Sequence, residues 1–164
     1  MNISIKQATQ DDLAAISKIL IEAEKWIEEK GDPLWELDEL SRETIEEDVR
    51  RGEFQIAYVD DKAAGVFKFQ TEDQLFWPDV PQGESTYIHR LAVKRKFSGG
   101  TISSAMINYA KLKTKEMGRQ FLRLDCDVSR PKLHTLYKKH GFMKHSNRWV
   151  GPYYVTRYQY EIKS

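Results

Sequence analysis

The feature that most constrains this chain is a strand, a glycine turn and a helix that follow one another directly. Residues Tyr87–Val93 are typical of a strand, and the turn Ser98-Gly99-Gly100-Thr101 comes shortly after them. Beyond the turn, apolar side chains recur at helical spacing, at Ile102, Ala105, Met106, Tyr109 and Leu112. The stretch Phe121–Asp125 is typical of another strand. Because such a crossover joins parallel strands of one sheet, this segment predicts an α/β fold.

The remaining elements fit the same architecture. Alternation and helical periodicity predict strands near 2–8, 54–59, 63–70, 142–149 and 153–162, and helices near 13–27, 41–51 and 131–139. The predicted fold is α/β and single-domain, with a mixed central sheet of about seven strands flanked by about four helices. We expect residues 1–164 to form this one domain. The connection Thr71–Glu84 is long, and long connections are often functional.

Composition excludes several other classes of protein. With 164 residues, 40% of them hydrophobic and 31% charged, the chain is typical of a globular domain. No stretch approaches the roughly 18 apolar residues of a membrane helix, and the first residues do not resemble a secretory signal. The single Cys126 forms neither an internal disulfide nor a zinc cluster, and we interpret it as a buried spectator thiol. We therefore expect a cytoplasmic protein, without membrane association.

Charge is unevenly distributed along the chain. Residues 1–50 hold 14 acidic and six basic residues, whereas residues 89–148 hold 15 basic and three acidic ones. A basic half favours an anionic partner, such as nucleic acid, a membrane surface or a phosphorylated cofactor. The alternative interpretation is that these basic residues are scattered over the surface and solvated, with no anionic partner. The histidines of this half have irregular spacing, so we predict no metal site.

The glycine turn is the best candidate for holding an anion. Gly99 and Gly100 permit positive φ and close approach of a ligand, and the helix that follows begins with unpaired N–H groups. Together these features bind phosphate. The turn has neither the lysine of a nucleotide P-loop nor the GxGxxG pattern of dinucleotide-binding folds. A plain turn remains the alternative.

A second motif makes the chain recognisable. After the next strand comes Leu136-Tyr137-Lys138-Lys139-His140-Gly141-Phe142. Over roughly residues 87–142 the chain resembles the GNAT superfamily of N-acetyltransferases. The resemblance lies in the order of five elements: Leu-Ala-Val, a basic glycine loop, an amphipathic helix, a strand and then Leu-Tyr-x-x-x-Gly-Phe. The resemblance implies a GNAT-like fold with acetyl-CoA (coenzyme A) as co-substrate and no metal. It also implies acetyl transfer to a primary amine of a small molecule or peptide, by direct attack in a ternary complex.

The resemblance assigns roles to particular residues. Leu91, Ala92 and Val93 would offer backbone groups to the pantetheine arm, and Tyr137 would protonate the leaving thiolate. The pyrophosphate would be held by backbone N–H groups of the turn, at Ser98, Gly99, Gly100, Thr101, Ile102 and Ser103. Three turn positions depart from the family pattern. Ser98 replaces its usual Arg or Gln, Thr101 replaces a glycine, and Ser103 replaces a glycine or alanine. Arg130 stands where the family often has asparagine.

The acceptor amine must lose a proton before it attacks. A lysine-like amine is neutral in only a few molecules per ten thousand at pH 7. Strand alternation places Tyr87 and His89 on the face of Leu91, so we predict His89 as general base, with a structural histidine as the alternative. Trp26, Trp35 and Tyr87 are the predicted acceptor-binding residues, with packing as the alternative. Acidic residues near the two tryptophans in the sequence favour a cationic acceptor. They are Glu22, Glu36, Asp38 and Glu39.

Two other functions remain open at this point. The same fold can serve as a non-catalytic coenzyme A sensor or as a protein-interaction module. Nucleic-acid binding by the basic half is the third hypothesis, although no known motif supports it. We expect a small-molecule amine as partner, no nucleic acid and a possible homodimer.

Overall fold

The computed structural model describes residues 2–29 and 41–163, and these residues form an α/β fold. Its seven strands form one mixed sheet in the order β1-β2-β3-β4-β5-β7-β6. They are Ile3–Gln7, Phe54–Val59, Lys62–Gln70, Ser85–Val93, Phe121–Asp127, Met143–Val150 and Tyr153–Glu161, numbered β1 to β7. The α-helices of the described residues are Leu13–Glu29, Arg42–Arg50, Thr101–Glu116 and Pro131–Lys139, numbered α1 to α4. None of these helices is long and apolar enough to cross a membrane.

The predicted fold class and order of elements are confirmed, and several boundaries differ from the prediction by one or two residues, including those of β3 and β4. β3 begins at Lys62, one residue early, because Val59 pairs directly with Lys62 across a two-residue turn. Both turn residues, Asp60 and Asp61, have positive φ, of 47° and 69°, which matches the twist of a tight hairpin. β4 begins at Ser85 rather than Tyr87 because Ser85 and Thr86 already pair with β5.

The chain divides into two compact units, and unit 1 comprises Met1–Lys68 and Arg90–Met106. In its described part, β1, β2 and β3 pair antiparallel. The helical face predicted in α1 is buried, with Leu13, Ile16 and Leu20 at 6% exposure or less. These side chains share one core cluster with α2 and the strands, through Ile45, Val49, Phe54, Ile56 and Val66.

Unit 2 comprises Phe69–His89 and Ile107–Ser164. The start of β4 lies parallel to β5, as the crossover predicts, with Ser85–Tyr87 paired to Phe121–Arg123. β7 pairs antiparallel with β5 on one side and with β6 on the other. The long connection Thr71–Glu84 also belongs to this unit, and it carries Trp77, whose side chain is buried.

Candidate active site

The glycine turn of unit 1 presents open backbone at the start of a helix. Gly99 and Gly100 have φ of 130° and 96°, a region that side chains disfavour. A Cβ added at either glycine would meet no atom within 4 Å. The first helical bond joins the Ser104 N–H to the Gly100 carbonyl, so the N–H groups of residues 101–103 have no acceptor within α3. The turn therefore offers unpaired donors beside free space.

Two further features anchor the beginning of α3. Ile102 is 1% exposed, whereas Ser98, Gly99 and Thr101 are exposed, so the helix is held by its apolar side while the turn remains accessible. Gly65 makes this packing possible. A Cβ at Gly65 would lie 2.9 Å from Met106 Cε and 3.1 Å from the Ala92 carbonyl oxygen.

The end of β4 leads into this turn. The Lys94 N–H donates to the Ala64 carbonyl at 2.8 Å, which fixes the end of the strand to β3. Leu91, Ala92 and Val93 lie beyond the three residues that pair with β5. Arg95 and Lys96 are exposed, and the Arg95 N–H donates to Glu22 Oε1 at 3.1 Å. All nine residues that are predicted to bind coenzyme A therefore belong to unit 1. They form two runs, 91–93 and 98–103, separated by residues 94–97.

In unit 2, His89 lies between two carboxylates. Its Nε2 is 2.7 Å from Asp73 Oδ2, and its Nδ1 is 3.9 Å from Asp125 Oδ2. All three side chains are mostly buried, at 18%, 6% and 10% exposure for His89, Asp73 and Asp125. Burial is the main cause that raises the pKa of Asp125 to about 6, and the neighbouring Asp73 adds to it, whereas His89 and Arg157 oppose it. We call Asp73, His89 and Asp125 the acid–histidine cluster.

The connection Thr71–Glu84 is fixed around Trp77. The guanidinium carbons of Arg123 and Arg157 lie 5.1 and 4.5 Å from the Trp77 ring. Arg157 donates two hydrogen bonds to Asp79, of 2.6 and 3.0 Å, and Arg123 donates one to Glu84 at 3.0 Å. Both arginines are buried. These contacts hold the connection in place, and Asp73 with it.

The predicted acid, Tyr137, lies on α4 and is buried at 5% exposure. Its ring packs against Phe142 and Tyr158, with centroid distances of 6.0 and 6.1 Å. Burial raises the pKa of Tyr137, so the phenol is protonated at neutral pH. Burial also raises the pKa of Cys126 to about 12, which agrees with a spectator thiol.

The residues predicted to bind the acceptor are less well placed. Tyr87 is 4% exposed and packs against Trp77, at 6.4 Å between ring centroids. Trp26 lies on α1, but its side chain is outside the described part, as are Trp35 and the predicted acidic residues Glu36, Asp38 and Glu39. The prediction that His89 and Leu91 lie on one face of β4 assumed regular alternation. Arg90 interrupts the pleat between them, because it has a φ of 54°.

Sequence reasoning missed the two carboxylates beside His89. Asp125 carried only a weak signal, because it alternates with Leu124 and Cys126 as a polar residue does on one face of a half-buried strand. Asp73 carried none. It reaches His89 because its carboxylate also accepts the Phe76 N–H at 3.0 Å, which closes a tight turn in the long connection.

The sequence of this chain, with its α/β fold and glycine turn, matches an acetyltransferase family. The family model of the acetyltransferase (GNAT) family matches residues 15–142, so the chain belongs to this family, and the resemblance seen in the sequence is confirmed.

Known relatives agree with this assignment. The chain is 26% identical to the uncharacterized N-acetyltransferase YesJ of Bacillus subtilis (strain 168) over 141 residues, which are 82% of this chain and 78% of YesJ. It is also similar to the crystal structure of a GNAT-family acetyltransferase from Listeria monocytogenes 4b F2365. The TM-score is 0.80 with 26% identity, over 97% of this chain and 94% of that one.

A second similar structure was crystallised with coenzyme A. It is the PaiA N-acetyltransferase from Thermoplasma acidophilum, with a TM-score of 0.77 and 17% identity, over 98% of this chain and 100% of that one. At this identity the likeness concerns the fold alone.

Proposed function

We propose that this protein transfers an acetyl group from acetyl-CoA to a primary amine of a small molecule or peptide, by direct attack in a ternary complex. The observation that carries the proposal is the open glycine turn at the start of α3, in a chain of the GNAT family. The relatives named N-acetyltransferases, and the PaiA structure with coenzyme A, support the same conclusion. We propose that residues 1–164 act as one such domain.

The turn fits the anionic end of coenzyme A. The N–H groups of residues 101–103, which have no acceptor within α3, and the positive end of that helix suit a pyrophosphate. Arg95 and Lys96 add positive charge beside it. The backbone of Leu91, Ala92 and Val93 lies beyond the stretch of β4 that pairs with β5, so we assign it to the pantetheine arm, which would bind as an added strand does.

In this proposal two side chains of the protein, His89 and Tyr137, transfer protons. Bound acetyl-CoA supplies a thioester carbonyl that an amine attacks, with formation of a C–N bond and loss of the thiolate. His89 removes the proton of the acceptor amine, because an ammonium has no lone pair for attack. Tyr137 gives a proton to the leaving thiolate, and its raised pKa means that it holds that proton at neutral pH.

A non-catalytic coenzyme A-binding module is the second candidate. The observation that favours it is the presence of side chains at Thr101 and Ser103, where the family usually has smaller residues. Release of thiol from acetyl-CoA across a panel of amines separates the two candidates. We expect release that depends on one class of amine. Binding of acetyl-CoA without release for any amine would favour the sensor, and absence of binding would contradict both.

The remaining assignments extend this proposal. We propose a cytoplasmic location because the single thiol, Cys126, is buried and forms no disulfide within the described residues. The partner is a small amine rather than nucleic acid or a membrane, and the protein forms a homodimer. Size-exclusion chromatography with light scattering tests the dimer, and salt-dependent binding to DNA or RNA would contradict the choice of partner.

A further inference from the structure

We propose, resting on the proposed acetyl transfer, that Asp125 is the residue that binds the ammonium group of the acceptor. An amine of ordinary pKa is almost entirely charged at neutral pH, so it reaches the protein as an ammonium ion. Asp125 receives this ion as a binding residue and takes no part in the acetyl transfer itself. The favoured acceptors are then alkyl amines, which arrive charged, and not arylamines, which arrive neutral.

One oxygen of Asp125 is buried without a hydrogen-bond donor. The Asp125 side chain is only 10% exposed, and among the residues that the structure describes no group donates a hydrogen bond to its Oδ2. A buried carboxylate that lacks a donor is costly. Burial raises the pKa of Asp125 to about 6, so the group is still mostly ionised at neutral pH. A bound ammonium group, with its N–H donors, supplies what this oxygen lacks.

The other carboxylate of the acid–histidine cluster, Asp73, has a partner at each oxygen. Its Oδ2 lies 2.7 Å from Nε2 of His89, and its Oδ1 accepts the Phe76 N–H at 3.0 Å. Nδ1 of His89 lies 3.9 Å from Asp125 Oδ2, which is beyond hydrogen-bond range. Asp125 is therefore the carboxylate of the cluster that can take a further donor.

The charge of the acid–histidine cluster also favours a cation. The ring of His89 lies between the two carboxylates and carries at most one positive charge. Two ionised aspartates therefore leave the cluster with a net negative charge, even when His89 is protonated. Arg157 attracts Asp125 electrostatically, but its guanidinium donates hydrogen bonds to other groups, among them the Asp79 carboxylate. The negative charge in excess remains for a ligand to balance.

The position of Asp125 in the sheet suits a ligand. The pairing of β4 with β5 ends at Tyr87 and Arg123. His89 and Asp125 each lie two residues beyond this last pair, within unit 2. His89 is 18% exposed, so the acid–histidine cluster is not sealed from solvent. The Phe76 ring lies 5.5 Å from the His89 ring, between centroids. An aromatic ring beside a carboxylate favours an alkyl ammonium ion.

A divalent cation is a competing occupant, because the three side chains of the cluster offer ligand atoms within 4.8 Å of one another. Such an ion takes several protein ligands. Asp73 could become a ligand only if its contacts with His89 and Phe76 were replaced. An ammonium ion needs only the oxygen of Asp125 that lacks a donor, and it leaves those contacts in place.

The first test uses no acetyl-CoA, so its outcome does not depend on the proposed acetyl transfer. Butylammonium chloride is titrated into the ¹⁵N-labelled full chain, and the backbone amide signals of residues 124–126 are followed. We expect saturable shifts with butylammonium at millimolar concentration, and none with butanol, potassium chloride or zinc chloride. Absence of a shift with butylammonium would overturn the proposal. An equal response to butanol or to either inorganic salt would also overturn it.

Two variants locate the response. Asp125→Asn keeps the shape of the side chain and removes its charge, so we expect it to weaken butylammonium binding about 10–100-fold, the loss of one charge-assisted hydrogen bond. Asp127→Asn, two residues along β5, is the matched control. The Asp127 carboxylate already accepts the Ser129 N–H at 2.9 Å, so this variant should keep the wild-type affinity. Equal affinity in Asp125→Asn and the wild type would overturn the proposal. If Asp125→Asn does not fold, the comparison of ligands in the wild type still decides.

The second test is the kinetics of acetylation with the amine panel. We expect Asp125→Asn to raise KM for an alkyl amine about 10–100-fold and not to lower kcat, because a carboxylate favours the ammonium form over the neutral amine that attacks. Asp127→Asn should leave both constants unchanged. An unchanged KM in Asp125→Asn would overturn the proposal, as would a lower kcat at unchanged KM or an arylamine acetylated as efficiently as an alkyl amine. If no amine is acetylated, the proposed function fails, and the titration still decides whether Asp125 binds an ammonium ion.

Discussion

The glycine turn of unit 1 and the buried charged side chains of unit 2 hold charge in opposite ways. At the turn the side chains of Arg95 and Lys96 are exposed, and the space beside the glycines is open. In unit 2 the buried Arg157 is paired with the more exposed Asp79, and the mostly buried His89 is paired with Asp73. Water screens exposed charge, whereas a buried charge depends on its particular partner. The turn should therefore tolerate small side-chain changes, and the buried pairs of unit 2 should respond to the loss of one atom.

The largest effect is expected from a new negative charge in the open turn. Gly100→Glu places a carboxylate and a side chain beside the assigned phosphate donors, at a φ of 96°. We expect acetyl-CoA to raise the melting temperature of the wild type by mass action and to leave that of Gly100→Glu unchanged. Thermal-shift titration to millimolar acetyl-CoA measures both.

A matched variant separates charge at the site from backbone strain. Gly151, in the turn between β6 and β7, also has positive φ and no atom within 4 Å of an added Cβ. Gly151→Glu should keep the full acetyl-CoA shift. Equal loss in both variants would show that strain, not the phosphate site, explains the result.

The next effect concerns the buried phenol of unit 2. Tyr137→Phe removes one oxygen and keeps the ring that packs on Phe142 and Tyr158. We expect turnover to fall about 100-fold, at the low end for general acid catalysis because a thiolate leaves readily, while acetyl-CoA binding is kept. Pre-steady-state thiol release measures the chemical step. Tyr160→Phe is the control, and equal rates for Tyr137→Phe and the wild type would show that Tyr137 only packs.

A smaller effect, on stability, follows from the carboxyl of Asp125. Its pKa is raised to about 6 in the folded protein, above about 3.9 for an unfolded aspartate. Between these two pH values the folded state therefore binds more protons than the unfolded state. The free energy of unfolding is highest below pH 4 and falls as the pH rises through 6, because the buried carboxyl then loses its proton. Asp125→Asn removes this loss, and we expect it to be more stable than the wild type by about 1–3 kcal/mol at pH 8 and by almost nothing at pH 4.

Urea unfolding at both pH values measures this difference. Asp127→Asn should show no such change with pH. An Asp125→Asn variant that is less stable than the wild type at pH 8 would show that the Asp125 carboxylate is paired favourably rather than desolvated.

The contrast between the units also explains what the sequence predicted. The residues assigned to coenzyme A could be predicted from the sequence because they are nearly contiguous and their glycines and helix periodicity are local signals. Asp73 was missed because it reaches His89 only after the connection folds back around Trp77. Gly65 was missed because a glycine in a strand does not reveal which helix approaches it. Alternation in β4 was misleading past Arg90, whose positive φ has no sequence signal.

The smallest effect is expected from the two hydroxyls of the turn. If backbone N–H groups supply the phosphate donors, Thr101 and Ser103 add at most one ordinary hydrogen bond each, of about 0.5–1.5 kcal/mol. Thr101→Ala and Ser103→Ala should then weaken acetyl-CoA binding by less than about tenfold each, measured by isothermal titration calorimetry. Ser103→Gly removes the Cβ as well, so tighter binding there would show that this side chain crowds the phosphate. A loss of 100-fold in either alanine variant would contradict a backbone-built site. It would show that side chains, and not backbone N–H groups, recognise the phosphate. The turn would then depend on individual side chains as unit 2 does, and the contrast would fail.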